Sequence, residues 1–160
     1  MINKKICKSN NKIIIVNKKI KYEYFIYEIF EAGLKLLGWE VKALRAGNVN
    51  ISNSYIFIKD KEAYIVGLNI TPLHMASLNI IYDSARTRKL LLKQKEIDLI
   101  FGKINQSGHT VIALSLYWKK AWCKIKIALA KGKNKHDKRF EIKKQEWMMQ
   151  KNKIIKNKYR

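Results

Sequence analysis

The stretch VIALSLYWKKAWCKIKIALA (111–130) carries the clearest structural message in the chain. Its halves, VIALSLYW (111–118) and AWCKIKIALA (121–130), are rich in β-branched and aromatic residues and flank the polar pair Lys119-Lys120. In the second half Cys123, Ile125, Ile127 and Leu129 fall on one side. Trp122, Lys124 and Lys126 fall on the other, the period of two that marks a strand with one wet face. The segment reads as a β-hairpin, with Cys123 a small hydrophobe on its inner face.

A second hairpin precedes it. ISNSYIFI (51–58) and AYIVGLNI (63–70) alternate in the same way, and the polar link Lys59-Asp60-Lys61-Glu62 reads as a four-residue loop. Between the hairpins Leu90, Ile97, Ile100, Phe101 and Ile104 recur at helical spacing, which predicts a helix over 86–101 that ends near Gly102. Leu37, Val41 and Leu44 form a short apolar stripe before Gly47, predicting a helix over 39–46 with a glycine cap. Residues 11–17 suit a short strand, whereas YEYFIYEIF (22–30) fits helix or strand equally well.

The 160 residues include 34 Lys plus Arg against 12 Asp plus Glu, a formal net charge of +22. With 48% hydrophobic residues the chain can bury a core, so it is not a disordered polycation. Codon bias could inflate Lys throughout, so the placement of the charge is more telling than its size. Residues 1–21 carry +7 and residues 131–160 carry +9, leaving +6 for the 109 residues between. Such clustering points to a polyanionic partner: nucleic acid first, an anionic membrane surface second. No run approaches the length of a membrane span, and the apolar run 13–16 is too short for a secretion signal. A cytoplasmic protein is expected.

Beyond Gly132 the chain is basic with scattered apolar residues. Trp147 and Ile154, like Met148 and Ile155, are seven apart and would share a helical face. An isolated helix of this kind is marginal in water. The expected organisation is a flexible basic arm over 1–16, a folded RNA-binding domain over 17–130, and a basic tail over 131–160. That tail would be disordered alone and helical on a partner.

Catalytic and metal signatures are missing from the sequence. His74, His109, His136, Cys7 and Cys123 are scattered, with no metal-binding spacing, so no metal or other cofactor is expected. The nearest carboxylates, Glu23, Glu28 and Glu31, suit solvated or lysine-paired roles, and no nucleophile or phosphate-loop motif occurs. An enzyme, and any catalytic residue, is therefore not expected. Arg86, Arg88 and Lys89 crowd the start of the helix predicted over 86–101, where the macrodipole disfavours cations. Arginine in a lysine-saturated chain points to bidentate or stacking contacts, with phosphate or bases the expected acceptors. Tyr22 beside Lys21, and Trp122 beside Lys120 and Lys124, are candidates for stacking on unpaired bases; lids on the core are the alternative.

Longer blocks of sequence go further. FEAGLKLLGWEVKALRAGNVNISNSY (30–55), ITPLHMAS (70–77), ARTRKLLL (85–92), ALSLYWKKAWCKIKIALAKGK (113–133) and HDKR (136–139) closely resemble the SmpB family, the SsrA-binding proteins of bacteria. The similarity runs from about Asn17 to Arg160. It implies a mainly β fold: an OB-like closed antiparallel β-barrel with about three helices and a disordered basic C-terminal tail. It implies binding to the tRNA-like domain of transfer-messenger RNA, with the protein standing in for the missing anticodon stem. It also implies trans-translation rescue of stalled ribosomes, the tail probing the decoding centre and the empty mRNA channel of the small subunit. Elongation factor Tu and alanyl-tRNA synthetase would be indirect partners through the RNA, and no membrane is implied. Another basic RNA-binding module, such as a ribosomal protein, is the alternative.

By position, the resemblance ties Glu31 and Leu91 to the RNA contact. Lys93 stands where relatives often carry Asn, and Tyr22 where many carry His. Gly132 matches a hinge. His136, Asp137, Lys138 and Arg139 match the decoding-centre segment, and Ile154 and Ile155 an apolar pair near the end; Trp147 shares the face of Ile154. The loop Asp60-Lys61-Glu62 lacks the glycine common in the family turn, leaving the turn type open.

Overall fold

The computed structural model describes residues 12–73 and 82–158. Within that span the side chains of residues 106, 107, 135, 136, 138, 141, 144, 145 and 156–158 lie outside the description. His74, Cys7 and part of the block 70–77 likewise fall outside it. The chain runs β1 (Lys12–Val16), α1 (Ile20–Glu23), β2 (Tyr24–Leu34), α2 (Gly38–Ala46), β3 (Val49–Asn50), β4 (Tyr55–Lys59) and β5 (Glu62–Val66). It continues through β6 (Asn69–Ile70), β7 (Arg88–Leu91), α3 (Gln94–Ser107), β8 (Thr110–Lys119), β9 (Trp122–Gly132) and α4 (Lys135–Lys158). The fold is mostly β with four described helices, where the sequence reading expects about three.

The 111–130 hairpin is β8–β9, with Lys119 opposite Trp122 and Lys120 at φ 57 in the two-residue turn. Cys123, Ile125, Ile127 and Leu129 are buried while Trp122 is exposed, as the alternation demands. From this hairpin the pairings pass from β8 to β4, β5, β7, β2 and β9, and β9 returns to β8. Six antiparallel strands thus close into a ring, with β1 on the same edge of β8 as β4, beyond it. Bulges supply curvature: Tyr27 is the extra residue of β2 against β9, and Leu114 that of β8. Inside the ring Ala32, Ile56, Ile65, Leu90, Ala113, Leu116, Ile125 and Ile127 form one apolar core, joined by Leu44 of α2 and Ile100 of α3.

The short strand expected over 11–17 is β1 (Lys12–Val16), paired with β8. The second hairpin departs from expectation in two places. The four-residue loop tightens to Asp60-Lys61, since Lys59 pairs with Glu62. Both turn residues sit at positive φ, 51 and 58, the signature of a type I′ turn without glycine. The strand expected over 63–70 breaks at Gly67, whose φ is 74; a Cβ there would lie 2.5 Å from the Asn53 carbonyl oxygen.

The helix expected over 86–101 starts later and ends later. Arg88–Leu91 is strand β7, with Arg88 and Leu90 buried and Leu91 exposed, and α3 follows over Gln94–Ser107 before Gly108. Leu90 obeys a period of two set by its pairing with Ala63, so it never belonged to the helical stripe. Arg86, Arg88 and Lys89 therefore do not crowd a helix N-terminus, and no helix dipole opposes them. The ambiguous segment 22–30 resolves mostly as β2, and 39–46 as α2 with Gly47 at φ 84.

Lys135–Lys158 is one helix of 24 residues. No Gly or Pro interrupts it and lysine is a good helix former. Phe140, Trp147, Met148, Ile154 and Ile155 nevertheless stay exposed along it.

Candidate nucleic-acid interface

Glu31 sits near the middle of β2, on the face turned away from the core. The register sets Glu31 opposite Lys126, and Gly33 opposite both Lys124 of β9 and Leu91 of β7. Tyr117 of β8 lies opposite Lys124 in turn. A row Leu91–Gly33–Lys124–Tyr117 thus crosses four strands, and paired residues in such a row share a face. The Glu31 carboxylate accepts from Lys124 Nζ at 2.6 Å and Lys119 Nζ at 3.1 Å through the same oxygen.

Lys124, then Tyr117 and Lys119, hold the Glu31 carboxyl down at about 2, against a weaker upward push from burial. The Tyr117 hydroxyl is buried without a well-formed hydrogen bond, although the carboxylate faces it. Burial first, and Glu31 second, push its phenol well above the ordinary range. The Lys126 ammonium lies 5.4 Å from the Tyr117 ring centroid. The result is a cluster of cations gathered around the Glu31 carboxylate. Three ammonium groups are steered by Glu31 and Tyr117, flanked by Leu91, 56% exposed, and Trp122, 74% exposed. Large apolar side chains that stay exposed beside ordered cations suit stacking and phosphate contact.

The other expected residues fall elsewhere or do something else. Tyr22 is half-exposed on α1. Lys93 is exposed just before α3, its backbone N–H donating to Glu96 Oε2 at 3.0 Å. Arg86 is tied to Glu40, Nε to Oε1 at 2.9 Å and Nη2 to Oε2 at 2.7 Å. Arg88 is fully buried. It donates from Nε to Glu40 Oε1 at 2.8 Å and from its other nitrogens to the carbonyls of Leu68, Arg86 and Ser84. Arg88 is thus removed from any RNA-contacting surface. Arg86 makes a bidentate contact, and its acceptor is a carboxylate of the protein itself. Burial works to raise the Glu40 carboxyl; Arg86, the Leu37 N–H and Arg88 outweigh it and hold it below the ordinary value.

At the tail, Gly132 ends β9 opposite Tyr24. The next residue was missed by sequence reasoning. Lys133 is 8% exposed, its backbone N–H donates to Glu23 O at 2.8 Å, and its Nζ donates to Lys21 O at 2.9 Å. That ammonium also lies 4.9 Å from the Phe25 ring centroid. A lysine among ten in the tail carries no sequence signal of burial; only the fold supplies the carbonyl end of α1 to receive it.

Asp137 lies in the first turn of α4, where a carboxylate favours the helix dipole. His136 and Lys138 are helical in backbone, and their side chains lie outside the described residues. Arg139, Trp147, Ile154 and Ile155 are exposed, with Lys151 Nζ 5.2 Å from the Trp147 ring centroid.

Among the described residues no group of His, Cys, Asp and Glu could hold a metal ion, and no helix is long and apolar enough to cross a membrane. Burial pushes the Cys123 thiol up to about 12, which leaves it unreactive as a thiolate.

The fold resembles a solved chain described as "tmRNA-SmpB: a journey to the center of the bacterial ribosome", with a TM-score of 0.63 and 36% sequence identity. The likeness covers 78% of this chain and 91% of that one. The family model described as SmpB protein matches residues 14–157, from within β1 almost to the end of α4, so the chain belongs to the SmpB family.

Proposed function

We propose that this chain is a cytoplasmic SsrA-binding protein that acts in trans-translation by binding rather than by catalysis. Its folded body grips the tRNA-like domain of transfer-messenger RNA and stands in for the anticodon stem. The basic tail probes the decoding centre and the vacant mRNA channel of a stalled ribosome. Elongation factor Tu and alanyl-tRNA synthetase join through the RNA rather than through this chain.

The observation that carries this reading is the family match over nearly the whole chain, combined with an outer face where Glu31 orders Lys119 and Lys124 beside exposed Trp122 and Leu91. Ordered ammonium groups meet phosphate, and counterion release makes the contact salt-sensitive. The tail helix fits a channel walled by phosphate because it carries exposed cations together with exposed Trp147, Ile154 and Ile155. Without that channel the same helix has little tertiary support, so it melts in the free protein. A vacant channel would then be sensed through folding of the tail.

The test is recovery of RNA bound to the protein from cells, repeated at raised salt. Enrichment of one tRNA-like species supports the reading, and an indiscriminate RNA mixture overturns it.

A further inference from the structure

Alternation along β8 turns Trp118 away from the face that holds Lys119 and Glu31. Arg45, in the last turn of α2, lies over the Trp118 ring with its guanidinium carbon 6.0 Å from the centroid. Lys12 is opposite Trp118 in the β1–β8 register, and Lys120 begins the β8–β9 turn. These four residues and Ala121 line a cavity of about 490 Å³ with no carboxylate among them.

Carboxylates neutralise several cations elsewhere in the body, but none lines this cavity. Glu40 neutralises Arg86 and Arg88, and Glu31 serves Lys119 and Lys124. The side chains of Arg45, Lys12 and Lys120 make no ion pair or hydrogen bond among the described residues; Arg45 has only the Trp118 ring. The Arg45 guanidinium sits at the outer limit of cation–π contact with the indole, and its N–H groups have no acceptor among the described residues. Three uncompensated cations around one cavity repel each other until an anion enters.

We propose that this cavity is a second RNA-backbone site: Arg45 offers a bidentate edge to a phosphodiester, with Lys12 and Lys120 as flanking point charges. The turn of the β8–β9 hairpin would then be held by RNA on both faces, Glu31 and Trp122 on one and Arg45 on the other. The inference rests on the RNA-binding reading above and adds a site to it. The phosphodiester could belong to transfer-messenger RNA or to ribosomal RNA, so the test has two arms.

One arm measures binding of the full chain to the tRNA-like fragment of transfer-messenger RNA against salt. The other measures binding of the protein–RNA complex to ribosomes. Arg45→Gln is expected to lower affinity about tenfold in one arm and to reduce the slope of log affinity against log salt by about 0.7 to 0.9, the effect of losing one phosphate contact. The double variant Lys12→Gln/Lys120→Gln should do the same in the same arm. Lys42→Gln, an exposed change on the same helix outside the cavity, should leave both quantities near wild type. Wild-type affinity and slope for Arg45→Gln in both arms, or an equal loss for Lys42→Gln, would overturn the site. A wild-type protein with no preference for that RNA would instead sink the functional reading itself.

Discussion

Arg88 Nε lies 2.8 Å from Glu40 Oε1, and neither side chain is exposed to solvent. One buried carboxylate thereby ties α2 to strand β7 and, through Arg86, to the segment before it. Replacing Glu40 would leave Arg88 as a buried charge without its anion. Glu40→Gln should therefore destabilise the body by about 3–5 kcal/mol. Urea unfolding followed by Trp fluorescence would measure it; a change under 1 kcal/mol would show that the pair is not structural.

Acid should unfold the protein through the same groups. Glu40 and Glu31 both have folded-state values below the ordinary 4.5, so their stabilisation is present above that value and is lost as pH falls through the folded ones. Stability should decline from about pH 4.5 downward, with Glu31 titrating near 2. Glu40 supplies the larger share, because Glu31 is about a third exposed and screened by water. A stability profile that stays flat to pH 3 would contradict this.

Glu31→Gln tests whether the anion on the outer face organises its lysines. The change makes the surface more positive, so a pure charge effect would tighten RNA binding. Loss of the oriented ammonium groups instead predicts that affinity for transfer-messenger RNA falls by about 1.5–3 kcal/mol, typical of charged hydrogen bonds. Affinity for arbitrary RNA should hold or rise. Paired gel-shift titrations distinguish the two, and a uniform gain across RNAs would reject the ordering role.

Lys133→Ala removes the ammonium that joins the tail to the end of α1. The body keeps its core, so RNA affinity should stay within about twofold of wild type. Tagging of stalled chains in a reconstituted translation reaction should fall about tenfold or more, because the tail leaves the body in an unset direction. Equal losses in binding and tagging would assign Lys133 to the RNA contact instead.

How far the sequence alone reached depends on which forces set each element. The β8–β9 and β4–β5 hairpins and α2 were legible because local alternation and turn residues agree with the final packing. Ring closure was not, since it depends on short non-local pairings such as Gly33 with Leu91 and Tyr55 with Ile112. Strand β7 was misread because Arg88 looks like a surface residue and becomes buried only when Glu40 arrives from 48 positions away. Glu31, Leu91 and Trp122 came from resemblance and exposure-prone alternation, and they do share one face. Lys133 carries no mark in a chain with 34 basic residues; partners brought by the fold single it out.

The central claim is selective recognition of one structured RNA. Competition between transfer-messenger RNA and a length-matched structured RNA, at fixed physiological salt, tests it most directly with wild-type protein and protein lacking 131–160. The account predicts at least about a hundredfold preference in both proteins, a specificity gap beyond what counterion release supplies, with tagging lost only in the truncated one. Equal affinity for the two RNAs would contradict it.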